Sequence, residues 1–373
     1  MNIIFTCGGT AGHINPAVAT ARMFQERYPG CSILFVGGDK GMGTRLVPKE
    51  GYEMKTVTIT NFRRSMSPSA IKHNVGTLVN MVRSDRQAKA ILDEFKPDLV
   101  VGTGGYASYP VVKAAAKRGI PTAVHESNAV PGLTTKALSR VADVVMVGFA
   151  ESKEHYDDPA KGVVTGTPVR GDFFRRTRAE ARRELGFDDD RPLLLSYWGS
   201  LGAELMNGYM TDFIVLESKA GTPFRHIHGA GRDFTVMTKD LAAAGVSGED
   251  LQGVEVREYI YDMPLVMAAA DLVLCRSGAS TISELAAIAK PAVLVPSPNV
   301  TADHQTKNAR ILSNTGGAVL LPEKECSGEK LYEVTSALLQ SPEKRAEMTR
   351  KLSELSIPDA NEKIFETLKG LLR

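Results

Sequence analysis

Short apolar runs rich in Val, Ile and Leu alternate with longer helix-like segments along the whole chain, and that rhythm restricts the fold to parallel sheets covered by helices on both faces. The runs fall into two sets. The first holds "NIIFTC", "SILFVG", "PDLVVG", "PTAVHE" and "ADVVMVG"; the second holds "PLLLSYWG", "FRHIHG", "VEVREYI", "ADLVLCR", "PAVLVP" and "GAVLLP". Each set is large enough for its own doubly wound sheet, and both open alike, "FTCGGTAGHINP" being echoed by "LSYWGSLGAELMN". A chain of 373 residues also exceeds what one hydrophobic core usually holds. The expected architecture is therefore α/β, with two Rossmann-like parallel-sheet domains facing across a cleft. The crossing point is placed in "VVTGTPVRGDFFRR", giving one domain of residues 1–167 plus a returning amphipathic helix at about 357–373, and a second of residues 168–356.

Charge and cysteine usage narrow the functional classes. Forty-five basic and 43 acidic residues nearly cancel to a net +2, which argues against nucleic acid as a partner. The four cysteines, Cys7, Cys31, Cys275 and Cys326, show neither a CxxC pair nor metal-ligand spacing, so a reduced cytosolic setting is expected. No secretory leader is read at the N-terminus, and no apolar run reaches the roughly 18 residues of a spanning helix.

In open parallel sheets ligands sit beyond the carboxyl ends of the strands, so each strand-to-helix loop is a candidate site. Four stand out. Gly8, Gly9 and Gly12 precede a helix entered near Pro16; Gly102, Gly104 and Gly105 precede one starting near Pro110. "WGSLGA" and "CRSGASTISE" are their counterparts in the second half. Glycines let the backbone approach a ligand, and helix N-termini favour phosphate, so a diphosphate ligand is expected. A dinucleotide fingerprint is not matched, because "GGTAGH" lacks the G-x-G-x-x-G order and Asp39 lies too far along; no Gly-Lys-Ser/Thr supports a P-loop.

Other groups read two ways. Thr281 and Glu284 have capping-box spacing, yet Ser280 and Thr281 also suit phosphate and Glu284 a ribose. Asp303 fits an N-cap, while Gln305 and Asn308 share a helix face suited to sugar hydroxyls. Arg170 is a surface arginine or a phosphate ligand, and His13 a turn residue, a base or a phosphate contact. Asp188 to Asp190 read as a solvated helix-to-strand turn, and no bound metal or cofactor is expected.

Taken in order, "GGTAGHINP", "GTGGYASYP", "HESNAVPGLTTK", "GTPVR", "GSLGA", "CRSGASTISELAA" and "DHQTKNA" make the chain resemble, essentially end to end, the MurG family of peptidoglycan N-acetylglucosaminyltransferases, which are GT-B glycosyltransferases. That resemblance implies transfer of N-acetylglucosamine from UDP-N-acetylglucosamine to the muramic acid 4-hydroxyl of lipid I, with inversion, giving lipid II and UDP. It further implies that Ser200, Arg170, Ser280 and Thr281 lie near the donor diphosphate, that Ile260 offers its backbone to uracil, and that Glu284 holds the ribose. Ala279, Gln305 and Asn308 line the N-acetylglucosamine. On the acceptor side stand Thr10, Gly12, His13, Gly104, Gly105, Tyr106, Glu126 and Asn128, with His13 the candidate base and Arg170 stabilising the leaving group. Two departures concern loop shape: Trp198 stands where relatives commonly carry glycine and is expected to narrow the donor side, and Tyr109 replaces a small residue.

A lipid acceptor implies membrane contact. Ile71, Val75, Val79 and Val82 have helical spacing among the cations Lys72, Arg83 and Arg86, a patch expected to dock peripherally on anionic lipid at the cytoplasmic face, although the same stripe suits a core. Cell-wall and division proteins are further implied partners. The rival readings are another GT-B enzyme acting on a glycolipid, a non-catalytic sugar-nucleotide-binding module, and a nicotinamide oxidoreductase, the last disfavoured by the missing fingerprint.

Overall fold

The computed structural model describes residues 1–60, 67–199, 202–357 and 359–372, without the side chains of residues 11, 68–75, 78, 79, 249 and 301. The chain divides into two compact units, Met1–Val169 with Ile357–Arg373, and Arg170–Ser356.

In the first unit seven strands, β1 (Asn2–Thr6), β2 (Ser32–Gly38), β3 (Glu53–Val57), β4 (Leu99–Gly102), β5 (Thr122–Glu126), β6 (Val144–Val147) and β7 (Gly162–Val164), form one sheet in the order β3-β2-β1-β4-β5-β6-β7. Every pairing is parallel, Ile3 standing between Ile33 and Leu99. Because side chains alternate across a strand, Ile3 and Phe5 pack on one face and Ile4 on the other. The first face is closed by Ile14, Ala17, Ala21 and Phe24 of the helix Ala11–Arg27 together with Ile364, Phe365 and Leu368 of the helix Ala360–Lys369. The second is closed by Ala88, Ile91 and Leu92 of the helix Pro68–Phe95 and by Val111, Val112 and Ala115 of the helix Ser108–Ala116. Each such fully buried large side chain stabilises the fold by roughly 1.5–3 kcal/mol, which is why apolar runs without polar alternation become interior strands.

The returning segment is held specifically. Phe365 lies with its ring centroid 5.0 Å from Phe24 and under the Arg27 guanidinium at 4.0 Å, Arg27 pairs with Glu362, and Asn361 donates its side-chain N–H to the Val169 carbonyl at 3.0 Å. At Gly166, with φ +76°, any Cβ would stand 2.8 Å from Ala360.

The second unit repeats the plan with β8 (Leu193–Tyr197), β9 (Arg225–Gly229), β10 (Val254–Arg257), β11 (Leu272–Cys275), β12 (Ala292–Leu294) and β13 (Ala318–Leu320), all parallel in the order β10-β9-β8-β11-β12-β13. In each sheet the winding reverses beside the first strand, between β1 and β4 and between β8 and β11, which is where such sheets open a crevice for ligands.

Several local expectations need correction. The first helix begins at Ala11, so Gly12 and His13 lie in its opening turn and Pro16 lies inside it. The helix expected near Pro110 starts at Ser108. Trp198 does not intrude on the donor side: it is 4% exposed and packs in the core of the second unit with Leu194, Met206 and Phe224. Tyr109 lies on its helix against Lys113, whose ammonium donates to the phenol oxygen at 3.1 Å. All four cysteines are free thiols, with Cys7 pushed by burial up to about 12. No helix among the described residues is long and apolar enough to cross a membrane.

Candidate functional site

At the switch point of the first unit the loops after β1 and β4 press together. Gly105 has φ +81°, and a Cβ there would stand 2.7 Å from the Gly8 carbonyl oxygen; one on Gly104, at φ +103°, would stand 2.7 Å from the His13 ring. Both positions therefore require glycine. His13 is half-buried, and its Nδ1 lies 2.8 Å from the Gly8 carbonyl, which only accepts. Nδ1 thus carries a proton, so that in the neutral ring the lone pair falls on Nε2, the tautomer a general base needs. Thr103 Oγ1 donates to the His13 carbonyl at 2.7 Å, fixing the same turn from β4.

The remaining first-unit candidates divide. Tyr106 is half exposed beside Gly105, and Thr10 is exposed at the helix N-terminus. Glu126, at the end of β5, is 4% exposed and its carboxylate accepts from the backbone N–H of Asn128 at 3.0 Å, from the Asn128 amide at 2.7 Å and from the Gly132 N–H at 3.0 Å. It shapes the loop after β5.

In the second unit the helix Ala279–Ala287 starts beyond β11 with Gly278 as its N-cap, so Thr281 is not a cap and the capping-box reading falls. Thr281 instead hydrogen-bonds the Tyr197 phenol at the end of β8, which in turn contacts the Cys275 thiol at the end of β11; burial holds that phenol well above its ordinary range. Ser280 Oγ is buried with no hydrogen-bond partner among the described residues. Glu284 is half-buried one turn on, its carboxyl packed about by protein; burial raises its pKa to about 7, with Arg170 opposing and Asp172 assisting. Arg170 lies 3.5 Å from Asp172, with nearly half its side chain exposed. The unit thus brings Arg170, Thr281 and Glu284 into one neighbourhood.

Gln305 and Asn308, on the helix His304–Asn314, brace this edge. Gln305 accepts from the Ser297 N–H at 2.8 Å, Ser277 Oγ donates to the Gln305 carbonyl at 2.8 Å, and the buried Asn308 donates to the Ser277 carbonyl at 3.3 Å. Asp303 precedes that helix at φ +52°, next to Ala302 at φ +55°, with no side-chain cap; two consecutive non-glycine residues in the left-handed region are a strained approach to a helix N-terminus. Ile260 is buried against the Gly229 backbone at the end of β9.

Two further expectations resolve as follows. Asp189 accepts from Arg225 Nε at 2.8 Å and Arg191 Nε at 2.6 Å, which holds its carboxyl down at about 2; this one member of the acidic triplet anchors the turn, while Asp188 stays exposed. Val82, Arg83 and Arg86 are exposed on the helix Pro68–Phe95, whereas the side chains of Ile71, Lys72, Val75 and Val79, like Ser200, lie outside the described residues. Sequence reading missed Tyr197, Cys275 and Asp172, which only the sheet register and the turn at Arg170 bring beside Thr281 and Glu284.

Two all-parallel sheets of this order, one in each unit, are the two-domain GT-B architecture. The profile of the "Glycosyltransferase family 28 N-terminal domain" matches residues 3–147, and that of the C-terminal domain matches residues 197–364. Curated relatives named UDP-N-acetylglucosamine–N-acetylmuramyl-(pentapeptide) pyrophosphoryl-undecaprenol N-acetylglucosamine transferase include one from a Thermoanaerobacter species, 40% identical over all of both chains, and one from Acetivibrio thermocellus, 38% identical over 100% of this chain and 99% of the relative. Among solved structures, MurG from Acinetobacter baumannii superposes with a TM-score of 0.76 at 26% identity, covering 99% of each chain. The chain belongs to this MurG family of glycosyltransferases.

Proposed function

We propose that the protein transfers N-acetylglucosamine from UDP-N-acetylglucosamine to the 4-hydroxyl of the muramic acid of lipid I, releasing UDP and giving lipid II with inversion at the anomeric carbon. The observation that carries this reading is full-length likeness at 38–40% identity to relatives bearing that name, joined to a base-ready His13 in one unit and an Arg170, Thr281 and Glu284 neighbourhood in the other. His13 Nε2 takes the proton of the attacking hydroxyl. The helix N-terminus at Ser280 and Thr281, together with Arg170, stabilises charge on the departing diphosphate without a metal ion, and Glu284 accepts from the ribose hydroxyls. Ile260 backbone groups meet uracil, while Gln305 and Asn308 shape the sugar pocket. The first unit holds the acceptor diphosphate at Thr10, Gly12, Gly104 and Gly105. Attachment is peripheral, at the cytoplasmic face, through the exposed Val82, Arg83 and Arg86 side of the helix Pro68–Phe95.

The test is UDP release from UDP-N-acetylglucosamine with and without a lipid I analogue, in the presence of EDTA. Release that requires the acceptor and persists in EDTA supports the reading. Saturable donor binding without acceptor-dependent release returns the chain to the binding-module alternative.

A further inference from the structure

A file of fully buried polar side chains runs through the second unit from helix to sheet to helix. Glu217 Oε2 lies 2.8 Å from His226 Nδ1, His226 Nε2 lies 2.7 Å from Ser196 Oγ, Ser196 Oγ lies 2.7 Å from His228 Nδ1, and His228 Nε2 lies 3.1 Å from Asn207 Oδ1. Asn207 donates from Nδ2 to the Ala230 carbonyl at 2.7 Å and to Asp233 at 2.8 Å. None of the five is more than 3% exposed.

The chemistry of the Asn207 end fixes the direction of the three bonds from Asn207 back to His226 Nε2. Two acceptors face Nδ2, so Oδ1 must accept, and His228 carries its proton on Nε2. Burial beside His226 pushes His228 down to about 3, so it is neutral and its Nδ1 accepts from the Ser196 hydroxyl. Ser196 has then spent its one proton and accepts from His226 Nε2. At the far end one proton lies between His226 Nδ1 and Glu217, a carboxyl that burial raises.

The turn after β8 and the C-terminal end of β9, which this file reaches, belong to the donor side of the proposed reaction. A Cβ on Gly202 would stand 2.5 Å from the Ala230 carbonyl and 3.2 Å from Asn207 Nδ2, so the turn after β8 rests directly on the Asn207 clamp. One on Gly229, the residue after His228, would stand 3.1 Å from Ile260. We propose that Glu217, His226, Ser196, His228 and Asn207 are positioning residues for the nucleotide sugar, setting the backbone at Gly202 and Ile260 through a hydrogen-bond chain of single polarity. The inference rests on the donor assignment above.

Ser196→Ala removes the one group that both accepts from His226 and donates to His228. It raises KM for UDP-N-acetylglucosamine at least about tenfold and leaves KM for a lipid I analogue within about twofold; a merely structural defect lowers the active fraction and apparent kcat without moving the donor KM. Glu217→Gln, whose amide N–H donates to His226 Nδ1 and preserves the polarity, keeps the donor KM within about twofold of wild type. A folded Ser196→Ala or Asn207→Ala protein with wild-type donor KM overturns the inference. Should these variants not fold, long-range proton–nitrogen correlations on the histidine-labelled wild-type protein decide it: His228 protonated at Nε2 supports the chain, and at Nδ1 overturns it. Wild-type protein that neither binds UDP-N-acetylglucosamine nor releases UDP overturns the donor assignment itself, before any variant is compared.

Discussion

Single side chains carry the sharpest consequences. His13 donates from Nδ1 to Gly8 and presents Nε2 as its basic atom, so His13→Ala is expected to lower kcat by about 10²–10⁴-fold while leaving donor KM within about twofold, read by steady-state UDP release. Glu284 makes a prediction about pH. Its folded carboxyl titrates at about 7, above its ordinary 4.5, so the folded state holds a proton that the unfolded chain has lost. The associated stability is complete below about pH 4.5 and is lost as pH rises through about 7, by up to roughly 3 kcal/mol. Urea denaturation of Glu284→Gln is therefore expected to gain on wild type at pH 8 and to match it near pH 4, while its UDP affinity falls by about 1.5–3 kcal/mol. The helix start was legible in the sequence, because glycine after a strand and hydroxyls before an apolar run mark a strand-to-helix loop locally. Thr281's support by Tyr197 and Cys275 was not, since it exists only once β8 and β11 lie side by side, and the capping-box spacing misled because Gly278 already ends the loop.

Among whole elements, the helix Ala360–Lys369 and the helix Pro68–Phe95 are the two whose faces matter most. Phe365 fills the space against Phe24 and Tyr28 beneath Arg27, and Phe365→Ala is expected to cost about 3–5 kcal/mol in denaturant unfolding of the first unit. On the other helix, Arg83→Glu with Arg86→Glu is expected to weaken binding to phosphatidylglycerol vesicles by about 1 kcal/mol or more per site, with zwitterionic vesicles unaffected; unchanged binding to both removes the docking proposal. Most interior strands were plain in the sequence as apolar runs, β5 and β9 being the ones interrupted by buried histidines. The edge strands β3 and β7 were not, for a physical reason: each pairs on one side only, and "EMKTV" puts Lys55 outward to pair with Glu94, while β7 is three residues long. Helix starts were misjudged at Pro110, which lies in the first turn of its helix where no N–H is needed, and at Pro16, which stands in the second turn at the expense of one intrahelical bond.

For the molecule as a whole, the division into two units predicts where ligands leave their mark. UDP is expected to slow amide exchange in the helix Ala279–Ala287 and around β9 and β10, with the sheet from β1 to β7 unchanged, and to do so equally in EDTA; protection that appears first in the first unit reverses the donor assignment. The placement of Ile357–Arg373 in the first unit has a different kind of consequence, one of time. A ribosome delivers β1 to β7 early but the helix that covers Phe24 and Met23 last, after every residue of Arg170–Ser356 has been made. At about 5–20 residues per second that interval is on the order of ten to forty seconds, during which the nascent first unit shows a bare apolar groove while the second unit is still being made. The part of the chain born first is thus the part finished last.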